Sequence, residues 1–404
     1  MRTHPIYPIC VFPLLLAWSM SGCGAPDATD DHARRLLANP GTVFGSDEGP
    51  GVLSSVWDVD VSTDGHVFAS EPQFAHVIVF GPDGSYVRTI GRRGLGPGEF
   101  QVPGNLSWTG DTLVVFDFQS GGNLFSVEGE YYGRVSFKLQ TADNPSFAVQ
   151  PIFLLADGNV MGFAPVPTSA VVRGERTQQA WLTLSREGEL LDTLALQSLA
   201  GQYVSIDLGQ REVSPTHPLA SNPLVAVPPD GSFMVMVDRE APTGGEAPSF
   251  RVHRIALDGD TALSQELPYS PIELTDSEID SIARSMATGY AARYALTVDR
   301  AAFALRQQIP WPHHRPPVTN VLAASDGSVW LRRETAIGDS IRWDVLDARL
   351  RHVGFVYLPS DLDVKVISEA GFESALPGWH VYGVVLDAFD VPSLMQYQVS
   401  SEVR

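Results

Sequence analysis

One short unit repeats along this chain, and its internal punctuation limits the folds open to it. The first copy runs Trp57–Ser62 (WDVDVS), Thr63-Asp64-Gly65, His66–Pro72 (HVFASEP), His76–Gly81 (HVIVFG), Pro82-Asp83-Gly84 and Ser85–Gly91 (SYVRTIG). It holds four short apolar or alternating runs and two Asp-Gly turns. Asp-Gly between such runs is a hairpin signal, because the tight turns that match strand twist need a residue at φ > 0. The first turn returns as Gly110-Asp111 before TLVVFD, Asp157-Gly158 before NVMGF, Asp230-Gly231 before SFMVMVD and Asp326-Gly327 before SVWLRR. The second returns as Glu128-Gly129, Glu187-Gly188, Asp258-Gly259 and, in degenerate form, Asp347-Ala348. The last segment, Asp363–Val399, has three strand-like runs (VKVISEAG, WHVYGVVLD and SLMQYQV) and lacks a fourth.

Five complete four-stranded antiparallel units and one incomplete unit predict an all-β chain, a six-bladed β-propeller. An open ring would leave an edge ready to pair with other chains. The segment His32–Phe44 precedes the first complete unit and is free to supply the missing strand, so it is predicted to pair with Ser393–Val399. Between the first two units stands Ile90-Gly-Arg-Arg-Gly-Leu-Gly-Pro-Gly-Glu-Phe100, with Pro103 beyond. This resembles the blade junction of NHL-repeat and TolB-like propellers, in which a glycine-rich loop and a buried Phe precede the next inner strand. The resemblance is close over residues 56–108 and holds in outline elsewhere. As a phosphate loop the glycines fit poorly, since Pro97 interrupts them and no helix follows.

Two insertions break the even spacing, residues 199–222 and 273–316. The second carries a helical insert at about residues 275–308. Thr275-Asp-Ser-Glu278 has capping-box spacing, and Ile279, Ile282, Met286 and Tyr290 follow at helical intervals. Gly289 and Thr297 suggest a break, after which Ala301–Gln308 forms a second helix. The apolar stripe is expected to pack on the blades.

The N-terminus reads as an address. Arg2 is followed by an apolar stretch from Ile6 to Trp18, broken by prolines and too short for a membrane span. Residues 1–22 are expected to be a lipoprotein signal peptide, because Met20-Ser21-Gly22-Cys23 resembles the bacterial lipobox. That resemblance implies lipidation of Cys23, and Gly24 after it implies the outer membrane of a bacterial cell envelope. Residues 23–32 read as a flexible tether, leaving 33–404 for the propeller. The two cysteines, Cys10 and Cys23, both lie in the first 23 residues, so the propeller has no disulfide, thiol nucleophile or cysteine metal site. With 27 basic against 47 acidic residues, the net charge of −20 repels nucleic acid and anionic lipid, so membrane contact is expected through the anchor alone.

Chemistry is expected where loops converge on a channel mouth. The insertions place His217, Trp311, His313, His314 and Arg315 there as candidate ligand-binding residues, with Trp311 offering a stacking surface and Arg315 an anion clamp. Adjacent histidines on an extended segment point in opposite directions, and no carboxylate–His spacing of zinc-hydrolase type accompanies them, so no metal ligands and no cofactor are assigned. Asp58 and Asp60 on the first inner strand can line the channel as solvated carboxylates. No catalytic residue is assigned, and no GxSxG turn is present. Six-bladed relatives include lactonases and peptide-amidating lyases with a metal in the channel. Two readings follow: an envelope-anchored scaffold that binds a protein, peptide or glycan, and a hydrolase or lyase with a divalent metal in the channel. The first is preferred, because fold alone supplies no reaction.

Overall fold

The computed structural model describes residues 34–119, 121–135, 149–155, 157–165, 178–209, 211–239, 247–257, 262–337, 339–369 and 378–401. The leader, Cys23, the tether and the Asp258-Gly259 turn lie outside them. The chain folds as six four-stranded antiparallel blades. Blade one is Asp58–Val61, Val67–Glu71, His76–Phe80 and Tyr86–Ile90; blade two is Pro103–Thr109, Thr112–Asp117, Gly121–Ser126 and Tyr131–Val135. Blade three is Gln150–Leu154, Val160–Pro165, Gln178–Leu184 and Leu190–Ser198; blade four is Leu224–Ala226, Phe233–Asp238, Ser249–Ala256 and Ala262–Pro268. Blade five is Val318–Ala323, Val329–Ile337, Ser340–Leu346 and His352–Pro359. Blade six takes Asp363–Glu369, Gly378–Leu386 and Pro392–Ser401 from the end of the chain and its outer strand, Leu36–Phe44, from the beginning.

The predicted closure is what the register shows. Leu36 pairs with Ser401 and Phe44 with Leu394, with a bulge between Pro40 and Val43. Proline and a bulge suit an outer edge, where a missing N–H breaks no ladder. Phe44 anchors the strand: it is fully buried, with ring centroids 6.0 Å from both Phe80 of blade one and Tyr382 of blade six. The last blade is thereby sewn to the first.

Each blade buries both faces against its neighbours. Phe68, Val77, Val79 and Ile90 of blade one pack on Leu106, Leu113 and Phe125 of blade two. Val114 and Phe116 meet Leu154 and Val160 of blade three, and Met161 and Trp181 meet Met234 and Ile255 of blade four. Phe233 and Val252 meet Val321 and Leu331 of blade five; Trp330 and Trp343 meet Val364 and Val381 of blade six. Near-continuous apolar strands such as HVIVF therefore reflect burial on two sides.

Among the described residues, the glycines of the Asp-Gly turns all take a left-handed φ. In Gly81–Ser85 the Gly81 N–H donates to Ser85 O, Gly84 N–H donates to Gly81 O, and Gly84 takes φ +85°. This is a type I turn closed by a left-handed residue. Asp83 Oδ1 accepts the Ser85 N–H, as Asp326 accepts that of Ser328, which is why aspartate precedes the glycine. Where glycine is missing, Leu350 (φ 61°) and Asp390 (φ 61°) occupy the left-handed position. There Asp347 and Asp387 stand at the turn's first residue and accept two N–H groups each. At the blade junction, Phe100 is fully buried, and a Cβ on Gly91 would stand 2.3 Å from its ring.

At the other end of the second strands, polar side chains tie down the link between blades. Buried Glu71 accepts N–H groups from Ser54 and Ser55 and pairs with His76; burial works to raise its pKa, but these partners hold it below the ordinary range. Asp117 accepts from Gln101 and Val102. Arg239 does the converse, donating to the carbonyls of Asn222, Val318 and Ala220, and its burial lowers it to about 10.

Helix α1 spans Asp276–Tyr294 behind the predicted capping box, in which Thr275 accepts the Glu278 N–H and Glu278 accepts that of Thr275. The predicted break falls at Ala295–Thr297 and not at Gly289, which faces open space and costs the helix only propensity. The helix ends at left-handed Ala295, and helix α2, Val298–Gln308, starts three residues earlier than expected, capped by Thr297. The apolar stripe does not lie on the blades. Ala283 and Ala287 of α1 pack with Ala301 and Leu305 of α2 and with Ile206, Leu208 and Val213 of the first insertion. Both insertions are outer-to-inner connections of neighbouring blades and so leave from the same face. Their apolar sides meet each other before they meet a blade. Among the described residues no helix is long and apolar enough to cross a membrane.

Candidate functional site

The first strands of all six blades surround a central cavity of about 490 Å³. Asp58, Asp60, Asn105, Gln150, Asn320 and Lys365 supply its polar wall. Its apolar wall includes Trp57, edge-on to Phe118 at 5.5 Å, and Phe163, tilted against Trp181 at 5.3 Å.

The Asp-Val-Asp run explains the carboxylates. Alternation along a strand puts Asp58 and Asp60 on one side and Val59 on the other, where Val59 joins the core between blades six and one. Asp58 Oδ2 accepts the Leu106 N–H of blade two at 2.9 Å, and Oδ1 accepts the Val59 N–H. Burial pushes Asp58 up to about 6, against the opposing pull of the Leu106 N–H and the Lys365 charge. Asp60 is 3 % exposed. Its Oδ1 accepts the Val61 N–H at 2.8 Å, while its buried Oδ2 has no partner among the described residues. Burial first, and then the charges of Asp58 and Asp230, raise Asp60 well above the carboxylate range. Lys365 brings a cation to this wall, but its Nζ lies 2.8 Å from Asp363 Oδ2, so its charge is shared. Asp60 is thus buried and Asp58 half-buried, not solvated as the sequence suggested. The signal was present: acidic residues two apart on an inner strand must share a side, and both sides of that strand are enclosed.

The residues singled out in the insertions sit elsewhere. His217 is buried and bolts the insertions together. Its Nδ1 accepts the Leu219 N–H, leaving Nε2 to donate to Pro310 O at 3.2 Å. Burial lowers its pKa and keeps it neutral. Trp311 packs edge-on to it at 6.1 Å and donates Nε1–H to Arg306 O. Arg315 spends its charge inside the protein, donating to Glu334 at 2.7 Å and to Glu278 at 2.5 Å, which fastens the start of α1 to blade five. His313 and His314 are exposed, and their stretch runs beside residues 272–274 through backbone bonds from Leu274 to His313 and from Arg315 to Ile272. His217 and Trp311 therefore come together, and Arg315 is neutralised where an anion clamp was expected. Among the described residues, no group of three His, Cys, Asp or Glu side chains is placed to hold a metal ion.

No protein-family model and no curated protein matches the sequence. Solved structures do resemble the fold. A member of the DUF4221 family from Bacteroides vulgatus superimposes with a TM-score of 0.51 at 10% identity, over 92% of this chain and 99% of that one. A protein described as exported, from Bacteroides fragilis, reaches 0.45 at 8% identity over 90% and 96%. Regucalcin, a calcium-binding protein from Agrobacterium tumefaciens, reaches 0.38 at 10% identity over 92% and 97%. The first of these likenesses supports the architecture and none speaks to activity: the chain has the fold of a six-bladed β-propeller.

Proposed function

We propose that the protein is an exported propeller, lipid-anchored through Cys23 in a bacterial cell envelope, that acts as a binding scaffold with its ligand seated in the central channel. The observation that carries this reading is the cavity itself. It is large enough for a small molecule, is walled by paired aromatic rings, and has in its wall a buried carboxylate oxygen with no hydrogen-bond partner among the described residues. Such an oxygen costs free energy unless something donates to it. The anchor rests on the lipobox-like Ser21-Gly22-Cys23; acyl chains bury about 0.8 kcal/mol per methylene and hold a protein durably when there are several. Mass spectrometry of the membrane-extracted protein tests it. A mature chain beginning at acylated Cys23 supports the anchor, and an unmodified cysteine or a different cleavage site removes it.

The alternative is a divalent-metal hydrolase or lyase using the same channel. Asp58 and Asp60, with Asn105 and Asn320 in the same wall, are the residues that favour it. With Gln150 the wall offers two carboxylates and three amides, but among the described residues no three His, Cys, Asp or Glu side chains come together to hold an ion. Metal analysis of the purified protein with and without chelator separates the readings. Stoichiometric metal whose removal lowers the melting temperature favours the enzyme.

A further inference from the structure

We infer that the channel takes a small organic cation, its ammonium group seated on Asp58 and Asp60 and its apolar body held by the Trp57–Phe118 and Phe163–Trp181 rings. This rests on the reading of the channel as a binding site. Three observations point the same way. Asp60 is 3 % exposed and its Oδ2 has no hydrogen-bond partner among the described residues, so the described wall has an acceptor with no donor. An ammonium has three donors and no acceptor, which answers that deficit. Asp58 stands two residues away on the same side of the strand, and Lys365, the one basic side chain in the wall among the described residues, is divided between the channel and Asp363 at 2.8 Å. The site is therefore short of positive charge.

The remaining wall selects the kind of cation. Among the described residues no three His, Cys, Asp or Glu side chains are placed to hold a metal ion, whereas the faces of Trp and Phe attract organic cations and bury their carbon skeletons. A cavity of about 490 Å³ has room for a ring and a short amine chain, far more than a bare ion occupies. An anion would meet two carboxylates. A neutral alcohol could donate to Asp60 but would leave the charge unmatched.

The test is calorimetric titration of the full chain in detergent at pH 8 with phenethylammonium, with 2-phenylethanol as its neutral counterpart and with calcium. Quenching of fluorescence in wild type and in Trp57→Phe reports whether binding is in the channel. We expect one amine per chain, binding weakened about tenfold or more in Asp60→Asn, and an equal weakening for the alcohol, a difference of about 1.4 kcal/mol or more. Asp60→Asn should melt no lower than wild type, which separates lost binding from lost fold. Equal affinity for the alcohol, unchanged affinity in Asp60→Asn, calcium that excludes the amine, or no amine binding would each overturn the inference. Alcohol bound in the channel would leave the broader binding reading standing, whereas calcium held there would favour the metal-dependent alternative.

Discussion

Replacing Asp58 by Asn should stabilise the protein in a pH-dependent way. Asp58 is held at about 6 where an aspartate ordinarily titrates at 3.8. At about 1.4 kcal/mol per tenfold change in proton affinity, ionising it in the fold costs roughly 3 kcal/mol, an upper figure for a buried carboxylate. The sign follows from proton counting. Between the ordinary value and about 6 the folded chain holds a proton that the unfolded chain has released, so stability falls as pH rises through that window. Above it the penalty is complete. An amide at position 58 never ionises, yet its oxygen can still accept the Leu106 N–H that Asp58 accepts now. Asp58→Asn should therefore be more stable than wild type by about 1–3 kcal/mol at pH 8 and equal to it below about pH 4. Urea unfolding followed by tryptophan fluorescence at the two pH values reads the difference. A stability change of the same size at both, or a loss at pH 8, would show that this carboxylate carries no burial penalty. A gain would also mean that the native residue is kept for something other than stability.

Other residues make separate predictions. Phe44→Ala should cost about 3–5 kcal/mol by opening a cavity at the ring closure, read as a lowered denaturant midpoint. Asp390→Gly should stabilise the protein by about 0.5–1 kcal/mol, read as a raised denaturant midpoint, because exposed Asp390 holds a left-handed conformation that glycine adopts freely. Arg239→Met should cost about 2–5 kcal/mol, since three buried carbonyls lose their donors, and a melting temperature within error of wild type would refute that account. Protonating Asp344 should destabilise the protein in strong acid. Burial alone would raise its pKa, but His352, Arg333 and Arg342 hold it at about 2, so its contribution is present above about pH 4 and fades as pH falls through 2.

The sequence made the ring legible because each blade announces itself twice, through apolar alternation and through a turn that demands glycine. Even the closing strand could be placed, since the last unit lacked a partner and His32–Phe44 was unassigned. The site was harder. Asp58 and Asp60 were visible as inner-strand acids, but their burial depends on how tightly the next blade approaches, and the Leu106 N–H that fixes Asp58 lies 48 residues on. The histidines and Arg315 stood out by composition and by proline bracketing. Their partners, Pro310, Glu278 and Glu334, are supplied by folding of the insertions onto each other and onto blade five, which no local pattern encodes. For the same reason the apolar stripe of α1 was assigned to the blades when it belongs to the other insertion.

The most direct measurement is a carbon-detected NMR titration of the Asp58 and Asp60 carboxyls, with and without phenethylammonium. In the free protein Asp58 should titrate near 6 and Asp60 well above the ordinary carboxylate value, with Asp230, Asp363 and Lys365 as the neighbouring charges. A bound ammonium favours the ionised forms, so both midpoints should fall when the amine is added. Two carboxyls that titrate as ordinary aspartates, or that do not move with saturating amine, would contradict the account.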